Sequence, residues 1–234
     1  MKKNVFIFKI ISYTSIILSI LFFTGCPVSI NVTALENNQL SYNFSTTAGK
    51  ATNELISSFD NSNASNNNNN VNSTMFDTLE IERALFQMGL TENRATLSKT
   101  NNAEETLNIN FKSSDNKFDF IKIIRNNEDL ATQMKITLSP EILQNLITNQ
   151  NNVIQKYADL LMAPCFTGEL MSKEEYIELV ASLYGNEIAE EITSGSIKIF
   201  LKNSRAKKIP EAFSIPLIDI LTLTEEKTFT VNYW

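Results

Sequence analysis

The sequence predicts an α+β fold: a mostly antiparallel sheet packed against several helices. Three observations carry this. Segments with an apolar residue at every second position recur along the chain, as in Val28-Ser29-Ile30-Asn31-Val32 and Leu107-Asn108-Ile109-Asn110-Phe111, the pattern of half-buried strands. Segments with apolar residues three or four apart lie between them, several with explicit start and stop signals. The strands follow one another through short turns rather than through regular helical crossovers, which excludes a doubly wound nucleotide fold. The reading gives seven or eight strands and five or six helices in 234 residues, a length suited to one domain.

The order begins with residues 1–25, which we read as a signal peptide and remove from the fold. Lys2 and Lys3 form a positive n-region, and Val5 to Phe23 is almost wholly apolar apart from Lys9 and a few hydroxyls. By length alone this run also suits a spanning helix. The next residues decide between the two. Phe23-Thr24-Gly25-Cys26 resembles a lipobox, the bacterial signal that places a diacylglyceryl group on Cys26 and directs cleavage after Gly25. Phe23 departs from the usual leucine, as in the relaxed lipoboxes of spirochaetes. An uncleaved N-terminal anchor and ordinary secretory cleavage are the two alternatives.

After Cys26, residues 26–59 read as a hairpin and a helix. Val28, Ile30, Val32 and Ala34 share one face of a first strand. Asn37-Asn38 forms the turn, and Leu40 to Ser45 alternates again. Residues 48–59 carry Leu55, Ile56 and Phe59 at helical spacing. Residues 60–74, with the run Asn66–Asn70, have little to bury and read as a flexible loop. The rest of the single globular domain is 75–234.

Within it, residues 77–89 form a helix carrying Leu79, Leu85, Phe86 and Met88, closed by Gly89. Residues 94–100 and 107–111 are strands. Residues 118–124 suit a short helix or a strand, and the helix is preferred because Phe118, Ile121 and Ile124 fit a period of three to four. Met134, Ile136 and Leu138 mark a strand. Ser139-Pro140-Glu141 is a complete helix start, with a hydroxyl cap, proline at the first position and an acid in the first turn. That helix runs toward Leu161 and ends before Pro164. Ser172-Lys173-Glu174-Glu175 is a capping box. The helix behind it turns Tyr176, Ile177, Leu179, Val180 and Leu183 inward and stops at Gly185. A further helix covers 186–193, strands cover 196–202 and 212–215, and 217–223 suits a helical turn or a covered strand. Residues 227–234 alternate once more. A chain-terminal strand is ordered when it joins a sheet, which places this one in the main sheet, with a slot beside the first strand.

Parts of the C-terminal half resemble a family of uncharacterised spirochaete lipoproteins, those of treponemes among them. The likeness rests on Ile136-Thr137-Leu138-Ser139-Pro140-Glu141, Tyr157 to Pro164, Glu174-Glu175-Tyr176-Ile177, Ser182-Leu183-Tyr184-Gly185, Ile215 to Leu221 and Tyr233-Trp234. These are structural phrases covering about 100 residues in patches. The resemblance implies an envelope location and no mechanism.

Composition narrows the chemistry. The chain has no histidine, which excludes a Ser-His-Asp triad, a Cys-His dyad and His-ligated zinc or haem. Neither phosphate-binding glycine loop occurs. We therefore expect no cofactor, no metal and no catalytic residue, and the chain reads as a non-enzyme. Cleavage before Cys26 removes three lysines and no acid, taking basic residues from 20 to 17 against 26 acids and the formal charge from −6 to −9. An acidic chain is a poor partner for nucleic acid, so the expected membrane partner is reached through the lipid on Cys26. The expected location is the bacterial cell envelope, periplasmic or surface-exposed, with an envelope protein or a lipid as ligand.

Cys165 lies in an apolar stretch and reads as a small buried hydrophobe. Carboxylates are the only numerous catalytic candidates. Glu174, Glu175, Glu178, Glu187, Glu190 and Glu191 fall on helix surfaces and read as solvated. Asp119, Asp159 and Asp219 differ, because each lies inside an apolar run, and they are the possible site acids. A carboxylate-based hydrolase acting on envelope glycans would need two inward Asp or Glu side chains across one cleft. Lys202, Arg205, Lys207 and Lys208 form the one basic cluster and read as a solvated loop. Tyr42, Phe44, Phe229, Tyr233 and Trp234 read as sheet-face packing rather than a ligand groove.

Overall fold

The computed structural model describes residues 28–35, 38–47, 49–55, 78–99, 105–128, 130–148, 163–203 and 212–233. The expected signal peptide 1–25, Cys26, residues 60–74 with the loop expected there, Asp159, the expected continuation of the helix beyond residue 148, Arg205, Lys207, Lys208 and Trp234 lie outside them.

The first hairpin is β1 (Val28–Ala34) and β2 (Gln39–Thr47), paired antiparallel with Val28 opposite Thr46. Asn38 makes the turn at φ 56°, a left-handed conformation that asparagine tolerates. A helical segment at 50–55 follows. Next come α1 (Thr78–Gln87), β3 (Thr91–Lys99), β4 (Glu105–Ser114), β5 (Ile121–Arg125), β6 (Ala131–Leu138), α2 (Pro140–Thr148), α3 (Pro164–Thr167), α4 (Lys173–Tyr184), α5 (Asn186–Ser194), β7 (Ser196–Asn203), β8 (Phe213–Pro216), α6 (Leu217–Leu221) and β9 (Lys227–Asn232). The fold is α+β, as its sequence pattern requires.

Among the described residues there are two sheets. One has six strands in the order β3-β4-β2-β1-β7-β8, and the other has three in the order β5-β6-β9. Every pairing is antiparallel except β1 with β7. Alternation does what it should: Leu40, Tyr42, Phe44 and Thr46 of β2 are buried, as are Leu107, Ile109 and Phe111 of β4. The outward rung Asn31–Asn43–Asn110 is joined by side-chain hydrogen bonds of 3.3 and 2.7 Å. Side chains of both sheets and of the helices meet in one apolar cluster.

Helix ends match their signals. Ser139 Oγ accepts from the Ile142 amide at 3.2 Å. At α4 the capping box closes both ways: Ser172 Oγ accepts from the Glu175 amide at 3.2 Å, and Glu175 Oε2 accepts from the Ser172 amide at 2.8 Å. Those two bonds hold the Glu175 carboxyl below its ordinary range, the backbone amide of Ser172 contributing most.

Four expectations are corrected. Residues 118–124 do not form a helix; 121–125 are strand β5, because Ile121 and Ile123 pair with Ile136 and Met134 and β-branched side chains favour the pleat. Phe118 is buried on its own, ahead of the strand, which is what mimicked a helical period. The terminal strand β9 joins the small sheet beside β6, since β2 and β7 occupy the two edges of β1. In α1 the buried residues are Ile81, Ala84, Leu85 and Met88, while Leu79 and Phe86 are 70 and 73 % exposed. In α4, Leu183 is half exposed and Tyr176 with Val180 fill the core.

Candidate functional site

The site acids legible in the sequence do not converge. Asp119 is exposed in the turn that precedes β5. Asp219, on α6, accepts from Lys173 Nζ at 2.6 Å and faces Lys227 Nζ at 3.9 Å. It therefore ties the start of α4 and the start of β9 to α6, in a shallow depression shared with Glu225 and Glu226. Its setting is that of a structural ion pair.

A different set of acids does share a concavity. The groove between α4, α5 and the 50–55 segment has a volume of about 860 Å³. Ile177, Ala181 and Ala189 line it together with Glu178, Glu187, Glu190 and Glu191. α4 and α5 are set at this angle by Gly185, whose φ of 93° is open to glycine and strained for other residues. Glu187 and Glu190 point from exposed positions on α5. Glu191 is bound: its Oε1 accepts from the Ala51 amide at 2.9 Å, and its Oε2 accepts from the Thr52 amide at 3.1 Å and the Thr52 hydroxyl at 2.7 Å. It caps the helical segment at 50–55 from about 140 residues away in sequence, where an anion meets unpaired helix amides. Local pattern could not reveal this, because the acid and the helix it caps are sequence-remote.

The second polar constellation is buried between the sheets. Arg125, ending β5, donates from Nε to Asp115 Oδ2 at 2.7 Å, with both side chains mostly buried. Tyr42 of β2 and Tyr233, just after β9, both lie near Asp115, and Tyr42 raises the cost of ionising Tyr233. Burial pushes both phenols well above the ordinary value, and the Asp115 charge adds to it. Ser113 approaches the Tyr42 hydroxyl and offsets part of that shift. The geometry falls short of a hydrogen bond: both phenol oxygens and Asp115 Oδ1 lack such a partner among the described residues. The Tyr42 ring stacks on Phe111 at 4.7 Å between centroids, and Tyr42, Phe44 and Tyr233 are buried on the sheet faces, with Phe229 partly so.

Cys165 is fully buried in α3 and its thiol is pushed up by desolvation. That matches a core residue, since the reactive form is the thiolate. Lys202 is exposed on β7. Among the described residues no three Cys, Asp or Glu side chains are grouped to hold a metal ion.

The whole is an α+β protein with an acid-rimmed groove and a buried tyrosine–aspartate–arginine seam. No protein-family model matches the chain, and no curated protein matches it either.

Proposed function

We propose that the protein is a lipid-anchored bacterial envelope lipoprotein that binds a partner rather than transforming a substrate. The observation that carries the reading is Phe23-Thr24-Gly25-Cys26 at the end of a nineteen-residue, largely apolar run. The groove between α4 and α5 is the surface on which to look for the partner. Its apolar floor and its glutamates suit a basic, partly apolar peptide segment of another envelope protein. Replacing Cys26 by Ala tests the anchor: we expect loss of the acyl mass and retention of residues 1–25. An unchanged mass would refute it.

One observation favours a second reading, a carboxylate hydrolase of envelope glycans: several glutamates share one groove. Glu191 is committed to the Ala51 and Thr52 amides, leaving Glu178, Glu187 and Glu190 as the acid and base. Release of reducing ends from purified cell wall, abolished in Glu187→Gln or Glu190→Gln, would support it. An unaltered cell wall removes it.

A further inference from the structure

We infer that the body of the protein is seated directly on the bilayer, with the Val28 end of the six-stranded sheet against the lipid headgroups. The inference rests on the lipid anchor proposed above and adds to it an orientation and a contact surface.

The argument is one of chain length. The acylated residue would be Cys26, and β1 starts at Val28. Two residues span at most about 7 Å, so Val28 cannot leave the headgroup layer. β1 itself has seven residues, and at about 3.3 Å each it carries its far end some 20 Å away. The Val28 end of the sheet is therefore the end that the chain holds against the membrane.

The strand register says which residues share that end. Val28 is opposite Thr46 on one side and Ile197 on the other. One step further, Thr47 faces Thr106, and Thr106 faces Ser98. Ser196 opens β7 at the same level, because β7 runs parallel to β1. The end is rich in hydroxyls, and Thr47 Oγ1 and Thr106 Oγ1 are 2.8 Å apart. Lys99 and Glu105 pair there at 2.8 Å, and the acid-rimmed groove, lined in part by Lys50, Thr193 and Ser194, opens beside this end. The hydroxyls suit a headgroup layer, and the glutamates beside them favour zwitterionic over anionic lipid. The opposite end carries Asn38, Gln39 and Ser114.

The test uses the full-length acylated protein in phosphatidylcholine vesicles containing a lipid with a nitroxide headgroup. Single cysteines at Ser98→Cys and Gln39→Cys take a thiol-reactive fluorophore. Cys165 is fully buried and does not compete. The two labels lie about 25 Å apart along the strands. We expect the Ser98→Cys label to be quenched several-fold more than the Gln39→Cys label. Inserting about twelve Gly/Ser residues between Pro27 and Val28, with a root-mean-square span of about 20 Å, should abolish the difference. Equal or reversed quenching in an acylated, vesicle-bound protein overturns the seating and leaves the anchor standing. A protein that is not acylated and stays off the vesicles overturns both.

Discussion

Gly49 and the Glu191 carboxylate share one space: a Cβ placed on residue 49 would fall on the carboxylate oxygens. Gly49 thus admits the acid that caps the next helix. The two residues should behave as a unit. Glu191→Ala removes charge-assisted bonds to two backbone amides and a hydroxyl, at a cost of about 1.5–3 kcal/mol. Gly49→Ala alone should cost a similar amount by displacing the carboxylate. In the Glu191→Ala background, Gly49→Ala should cost only about a few tenths of a kcal/mol. Urea unfolding of the four proteins of the cycle measures this, and additive losses would refute the coupling.

Alkaline stability follows from three buried phenols. Tyr42, Tyr176 and Tyr233 are each raised above the ordinary 10.0, chiefly by desolvation. The folded state keeps these protons longer than the unfolded state does. Their contribution is complete below pH 10 and falls as pH rises beyond it, by up to about 1.4 kcal/mol per tyrosine per pH unit. The part of the tyrosinate absorbance near 295 nm that belongs to these three should therefore appear together with loss of the circular dichroism signal. Ionisation of all three at pH 10 in a folded protein would contradict the burial.

Cys165 should be inert. A thiol reagent at pH 8 should modify it only as fast as the protein opens, because the thiol is enclosed and held protonated. Cys165→Ser places a hydroxyl in the same enclosure and should destabilise by about 1–3 kcal/mol. Rapid labelling of the native protein would show that α3 opens readily.

Asp219→Asn separates structural from chemical duty. Lys173 and Lys227 are each half exposed, so the ion pairs contribute at most about 1 kcal/mol. Partner capture from envelopes should be unchanged, and a lost function at unchanged stability would return Asp219 to the list of site residues.

Much of the fold was legible. The β1–β2 hairpin, the alternating strand at 107–111, the Ser139 start of α2, the Ser172 capping box and the Gly185 stop are all local signals, written within three or four residues of where they act. The site was less so. Asp119 and Asp219 stood out because apolar neighbours flank them, yet one is exposed and the other is ion-paired. Glu191 looked like its solvated neighbours and turned out to cap a distant helix. Arg125, at the edge of a stretch read as a helix, carried no sign of the buried pair it makes with Asp115.

The sequence by itself determined the fold class, the positions of most elements, the charge and the lipobox-like tetrapeptide, because periodicity, capping and composition are properties of neighbouring residues. Only the tertiary structure decided the partners. It set β9 beside β6 rather than β1, made 121–125 a strand, turned Phe86 and Leu183 outward and brought Glu191 to Thr52. A strand edge accepts any strand of suitable alternation, and a helix amide accepts any anion that reaches it. Which one arrives depends on how the whole chain packs.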